Sequence, residues 1–224
     1  MAVASACSSS KKSDPQPNPV AEFTASRQVV DLNEAVVFTN TSTNAARYEW
    51  NFGNGRTSTD ANPTTTYTTA GTYTVILKSY NSENVPAVKT FQVRAGSRRL
   101  YLVSIYALNF RDPAGLPWDP TSGPDVTIGY SVDGSTIVRS YTSGDLTPAS
   151  LPYGTASRNE ILGNNFSVYL YEYSNISSIP ERLMYSNTIS TAAPSANRDA
   201  DGKGYYLSAS PSGDYQVRVE YITQ

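Results

Sequence analysis

Apolar and polar residues alternate with a period of two in several short windows of this chain, the signature of strands with one buried face. Tyr48-Glu49-Trp50-Asn51-Phe52 sets three aromatic rings on one side, and Thr72 to Leu77 does the same with Tyr73, Val75 and Leu77. Ala35 to Phe38 is a short apolar run, and Val88 to Val93 closes this first group. Between them, Gly53-Asn54-Gly55 is a tight-turn sequence, because Gly and Asn tolerate positive φ. A second group follows. Leu100 to Phe110 is apolar on both faces, and Asp125 to Val132 directs Val126, Ile128, Tyr130 and Val132 inward. Asp133-Gly134 is a two-residue hairpin turn that returns the chain through Ile137 and Val138. Phe166 to Tyr173 and Tyr215 to Tyr221 complete the set, the latter with Tyr215, Val217, Val219 and Tyr221 on one face. Short strands with turns between them and no helical period predict an all-β chain. The expected architecture is two tandem antiparallel β-sandwich domains over 20–95 and 97–224, preceded by a disordered tether over 1–19.

Composition strengthens this reading. The chain has 17 Tyr against 6 Phe, and Tyr, Thr and Val suit the half-buried surface of a sheet. Charged residues are only 16%, and the formal net charge is −2. The basic residues number 8 before Ser97 and 9 from there on, against 7 and 12 acidic ones, so neither half has the positive field that nucleic-acid binding needs. There is no His, which excludes Ser-His-Asp and Cys-His catalysis and His-based zinc sites. The single cysteine, Cys7, excludes a disulfide within the chain. No apolar run approaches the roughly 20 residues of a membrane-spanning helix.

Ala4-Ser5-Ala6-Cys7, followed by a Ser-rich stretch and then Pro15, Pro17 and Pro19, resembles the processing site and tether of a bacterial lipoprotein. The resemblance implies that Cys7 is acylated and holds the chain to the cell envelope, at the outer membrane and facing the surface or the periplasm. A Ser- and Pro-rich spacer suits that purpose, being flexible and then semi-extended.

Trp50-Asn51-Phe52-Gly53-Asn54-Gly55 and, after a short gap, Tyr67-Thr68-Thr69-Ala70-Gly71-Thr72-Tyr73-Thr74-Val75 resemble the two signatures of the polycystic kidney disease (PKD) domain. The resemblance implies an immunoglobulin-like sandwich over 20–95, with Trp50 as its core plug and Gly53 and Gly55 shaping a turn. The family's usual aspartates are Asn51 and Asn54 here, so that turn has lost two carboxylates. PKD domains serve as extracellular modules that bind, space or brace, and do not catalyse.

The second domain opens with Ile105 to Phe110, then Arg111-Asp112-Pro113, Trp118-Asp119 and Gly123-Pro124-Asp125-Val126. This order resembles the calcium- and lipid-binding sandwich first described as a conserved region of protein kinase C, and the resemblance implies that Asp112, Asp119 and Asp125 could converge on a hard cation. The same acids also fit solvated loop positions. A second cation candidate is Asn197-Arg198-Asp199-Ala200-Asp201-Gly202, where Asn197, Asp199 and Asp201 place oxygen ligands at alternate positions before a Gly bend. An ordinary turn is the alternative there. Calcium is the only cofactor suggested. Tyr169, Tyr171 and Tyr173 form a stripe able to stack on a sugar or anchor a protein, or to serve as half-buried sheet surface. Trp118, in the loop Gly115-Leu116-Pro117-Trp118, either packs down or meets a partner.

These features predict a non-enzymatic envelope or surface lipoprotein used in binding, adhesion or complex assembly. Its partner would be a protein or polysaccharide of the envelope, with no nucleic acid involved. A calcium-dependent glycan or lipid binder, and an accessory module of a polysaccharide-degrading or protein-export system, are the alternatives. A glycosidase built on paired carboxylates would need two clustered acids, and no motif supplies them.

Overall fold

The computed structural model describes residues 16–118, 123–139, 143–156, 161–173, 182–192 and 197–224. Among the described residues the secondary structure is strand apart from one 3-10 turn, Pro148–Ser150, and no helix is long and apolar enough to cross a membrane. The residues fall into two compact units: 16–26, 36–65 and 73–92 form the first, and 27–35, 66–72 and 93–224 form the second.

The N-terminal strands are β1 (Phe23–Ala25), β2 (Val29–Asp31), β3 (Val36–Asn40), β4 (Arg47–Asn51), β5 (Thr57–Ser58), β6 (Thr64–Thr65), β7 (Gly71–Tyr80) and β8 (Pro86–Gly96). They form a three-stranded sheet in the order β1-β3-β6 and a five-stranded sheet in the order β2-β8-β7-β4-β5. One pair departs from the antiparallel expectation: β2 runs parallel to the end of β8, with Val29 opposite Arg94. The period-two pattern of β4 and β7 translates into burial, with Trp50, Val75 and Leu77 inside. Trp50 packs edge-on against Phe23 at 4.9 Å between ring centroids and lies parallel to Phe52 at 6.3 Å, and Phe38 fills the space between them. Its indole N–H donates to the Asp60 carbonyl at 2.9 Å, so the one polar atom of the ring is satisfied. The turn after β4 needs glycine at Gly53: φ is +77°, and a Cβ there would lie 2.8 Å from the Thr74 carbonyl oxygen. Asn51 Oδ1 accepts the Gly53 N–H at 2.9 Å and Asn54 Oδ1 accepts the Arg56 N–H at 3.1 Å. The amides thus perform the turn-bracing work of a carboxylate without its charge.

In the second unit follow β9 (Arg98–Ala107), β10 (Val126–Val132), β11 (Val138–Arg139), β12 (Tyr153–Ala156), β13 (Asn165–Glu172), β14 (Arg182–Ser190), β15 (Lys203–Ala209) and β16 (Gln216–Thr223). They build two four-stranded antiparallel sheets, β11-β10-β13-β14 and β12-β9-β16-β15. Their inner faces supply one core, including Val103 and Ile105 of β9, Ile128 and Tyr130 of β10, Phe166, Val168 and Leu170 of β13, and Val217 and Val219 of β16. The β10–β11 turn has positive φ at both Asp133 (48°) and Gly134 (74°), and the Ser135 N–H donates to the Val132 carbonyl at 2.9 Å. That is the hairpin chemistry expected of Asp-Gly.

An ionic cluster lies inside this unit. The Arg198 side chain is 0% exposed, with Nη1 3.0 Å from Asp31 Oδ1 and Nη2 2.6 Å from Glu34 Oε2. Arg98 Nε approaches Asp31 Oδ2 at 3.1 Å, and Thr223 Oγ1 donates to Asp31 Oδ1 at 2.8 Å. Arg98 also donates to the Tyr206 hydroxyl. Burial outweighs that cation and pushes the Tyr206 phenol up to about 12. A phenol whose folded pKa exceeds its unfolded value of about 10 stabilises the fold fully below the unfolded pKa. That contribution is lost as pH rises through about 12. The expected result is that Tyr206→Phe narrows the fall in denaturant midpoint between pH 9 and pH 12. An identical fall in wild type and variant would refute the assignment.

Candidate functional site

The tyrosine stripe predicted from sequence lies on β13, where Tyr169 and Tyr171 are half-buried. Phe166, Val168 and Leu170 point inward, so period-two alternation turns Tyr169 and Tyr171 outward. The two rings stack, with centroids 6.2 Å apart and planes inclined by 17°. The neighbouring strand makes room for them. Gly129 of β10 stands opposite Tyr169, and a Cβ on it would come within 3.1 Å of Tyr171 Cε2 and of Ile137 Cγ2. Arg139 of β11 places its guanidinium 4.6 Å from the Tyr171 ring centroid, a cation–π arrangement that holds the ring. On the other side, Leu183 of β14 stands opposite Tyr171 across a β-bulge and is exposed. Tyr173 lies past the end of β13 and is also exposed, with its N–H donating to the Asp125 carbonyl at 2.7 Å. The structure therefore joins Tyr169 and Tyr171 into one surface, with Tyr173 beyond the strand end.

Trp118 is buried, and its indole N–H donates to the Asn109 carbonyl at 3.0 Å. Arg182 of β14 covers it, with the guanidinium 4.8 Å from the ring centroid and a bond to the Trp118 carbonyl. The same guanidinium lies 3.3 Å from Glu172 Oε2 and 4.0 Å from Asp112 Oδ2. Arg182 thus ties together the loop tryptophan, the loop aspartate and the buried acid of β13. No local pattern marks it, since it stands 64 positions after Trp118.

The predicted cation ligands are placed as follows. Asp112 Oδ1 accepts the N–H groups of Ala114 and Leu116, each at 2.9 Å, in a side-chain-braced turn. Asp125 lies immediately before β10, and Asp119 lies outside the described residues, as does Cys7. Asp199 Oδ1 accepts the N–H groups of Asp201 at 3.0 Å and Lys203 at 2.8 Å, closing the turn that also contains Asn197. Gly202 sits there at φ +85°, where a Cβ would meet Val29 Cγ1 at 2.6 Å. Its glycine is required by turn geometry and close packing alike. Among the described residues, no three acidic or cysteine side chains gather in a metal-binding group.

The first unit contains a cavity of about 700 Å³ on the face of β4, β5 and β7, lined among others by Glu49, Asn51, Thr57 and Lys78. At its rim the Tyr80 hydroxyl donates to Glu49 Oε2 at 2.8 Å, and Arg47 Nη1 lies 2.5 Å from Glu49 Oε1. These two contacts hold the Glu49 carboxyl below its usual range.

A model of the PKD-domain family matches residues 16–95. A pre-pro-metalloprotease of Vibrio cholerae, PrtV, is 41% identical over 59 residues, 26% of this chain and 6% of that protein's length. The crystal structure of the PKD1 domain of that metalloprotease is 34% identical, with 35% of this chain covering 98% of the domain at a TM-score of 0.32. The PKD1 domain of Vibrio anguillarum Epp is 30% identical, with 36% of this chain covering 99% of the domain at a TM-score of 0.30. The family match and the identities, together with the Trp50 core, the Gly53 turn and the β7 strand, lead to one conclusion: residues 16–95 of this chain belong to the PKD-domain family.

Proposed function

We propose that this chain is a non-catalytic binding module of the bacterial cell exterior. In this reading the PKD domain acts as spacer or brace, and the second unit carries the recognition surface. The observation that supports it most directly is the Tyr169–Tyr171 pair. Two stacked, half-buried rings lie above a glycine that gives them room, with Arg139 against the Tyr171 ring and the exposed Leu183 beside it. Rigid aromatic side chains offer large contact area at low entropic cost, which suits an anchor for an envelope protein or polysaccharide. The two PKD1 structures resemble this chain over that one domain, so the reading rests on the second unit's own surface. Acylation of Cys7 would attach the module to the membrane through the Pro-rich tether.

Two measurements test it. The double substitution Tyr169→Ala/Tyr171→Ala is expected to weaken retention on isolated cell-envelope fractions at least about tenfold, the loss of one anchor worth roughly 1.4 kcal/mol or more. Its melting temperature should change little, because the rings lie outside the core. Equal retention by wild type and variant would remove this surface from the function. Detergent partitioning that survives Cys7→Ala would likewise remove the lipid anchor.

A further inference from the structure

The geometry points to a second, separate site: a cleft on the outer face of β9, β16 and β15 that binds a neutral pyranose saccharide. It does not rest on the Tyr169–Tyr171 reading. The cleft holds about 440 Å³ and is lined by residues that include Tyr101, Asp199, Lys203, Tyr205, Arg218 and Glu220, all within the second unit. That volume lies in the range of roughly 300–1,000 Å³ typical of small-molecule sites.

Tyr101 is the key residue. Leu100 pairs with Tyr221 and Leu102 pairs with Glu220, so Tyr101 is the extra residue of a β-bulge. Bulges re-aim side chains, and this one presents a phenol that is 64% exposed. Among the described residues its ring and hydroxyl have no partner. An apolar ring left in water beside a cleft has a free face for the C–H side of a sugar.

The polar walls match hydroxyl groups. Arg218 and Lys203 only donate, whereas Glu220 and Asp199 only accept, and a sugar hydroxyl does both. Arg218 is held in place beforehand. Its guanidinium lies 3.9 Å from the Tyr205 ring centroid, Nη1 donates to the Tyr106 hydroxyl at 3.3 Å, and Nε is 3.4 Å from Glu220 Oε1. Asp199 is fixed through Oδ1 by two N–H groups. Side chains ordered in advance lose little entropy when a ligand arrives.

Charge selects the ligand class. Two cations and two anions line the cleft, so it carries no net field for a phosphate or an acidic glycan. An apolar peptide would find Ile222 as the single aliphatic wall. A neutral polyol with one C–H face fits all of these features.

Affinity electrophoresis of the whole chain tests this, in native gels containing a neutral β-glucan, a neutral galactomannan or acidic alginate. At least one neutral polymer should retard the wild type. Tyr101→Ala should weaken that retardation at least about tenfold, and Tyr101→Phe should preserve most of it. Because Tyr101 is exposed, the alanine variant should keep the wild-type melting temperature. Glu220→Gln provides a second readout at the polar wall and should also weaken retardation. The assignment is overturned if neither neutral polymer retards the wild type, if alginate alone does, or if Tyr101→Ala runs like wild type. Loss of binding in the Tyr169→Ala/Tyr171→Ala variant alone would overturn it too, and would place recognition on the other sheet.

Discussion

Trp50→Ala is expected to destabilise the first unit by about 3–5 kcal/mol, the usual cost of deleting a large buried aromatic side chain. Trp50 is 2% exposed and touches Phe23, Phe38 and Phe52, so its removal opens a void that those rings cannot close without leaving their packed positions. The Asp60 carbonyl also loses its donor. Amide exchange is the suitable measurement. Protection in β3, β4 and the Tyr73–Tyr80 part of β7 should fall about a hundred- to thousandfold, since 1.4 kcal/mol corresponds to a factor of ten. Trp50→Phe keeps most of the apolar volume and loses the indole donor, so its cost should be smaller, about 1–3 kcal/mol for the void and the unpaired carbonyl together. If Trp50→Ala left protection in these strands within threefold of wild type, Trp50 would not be the keystone of this core.

Arg198→Ala should cost up to a similar amount in the second unit, about 3–5 kcal/mol, because it leaves the buried Asp31 and the half-buried Glu34 without their shared cation. Arg198 is the fully buried member of the cluster and the one that reaches both Asp31 and Glu34. Arg98 still meets Asp31, and Arg27 lies 3.5 Å from Glu34, so neither acid is wholly abandoned. Neither of those cations bridges the pair. A double-mutant cycle separates cluster from packing. Adding Glu34→Gln to Arg198→Ala removes a charge that has lost its partner, and should recover part of the lost stability, with a coupling energy of about 0.5–3 kcal/mol. Strict additivity, or a loss below 1 kcal/mol for Arg198→Ala alone, would show that the cluster contributes packing and little electrostatics.

These two residues differ in how visible they are in sequence. Trp50 stands in a period-two run followed by a Gly-Asn-Gly turn, and local physics alone assigns it to the core. Arg198 sits in Asn197-Arg198-Asp199-Ala200-Asp201-Gly202, whose alternating oxygens suggest a cation loop. In the structure the arginine of that stretch is buried, and Gly202 is needed for a left-handed turn packed against Val29. The partners of Arg198 lie more than 160 positions away, at Asp31 and Glu34. Nothing within a window of ten residues could pair them.

The binding surfaces divide along the same line. The Tyr169–Tyr171 pair is legible because alternation on β13 dictates that both rings share a face. The glycine that makes room for them and the arginine that covers one of them come from β10 and β11, through strand register. Tyr101 escapes the pattern altogether. Leu100 to Phe110 reads as apolar on both faces, and only the bulge against β16 turns Tyr101 to solvent. Its companions Tyr205, Arg218 and Glu220 lie on two other strands more than a hundred positions later. Trp118 was open to either reading in sequence, and its burial follows from Arg182, which arrives from another strand.

By itself, then, the sequence determined the all-β class, the positions of strands such as β4, β7, β10, β13 and β16, the Gly53 and Asp133-Gly134 turns and the PKD resemblance of residues 20–95. Each of these follows from side-chain alternation or backbone conformation, which act over a few residues. The tertiary structure alone decided which charges are buried together and which tyrosines face water. Register, bulges and cross-strand pairing set those outcomes, and they bring together residues that no local rule connects.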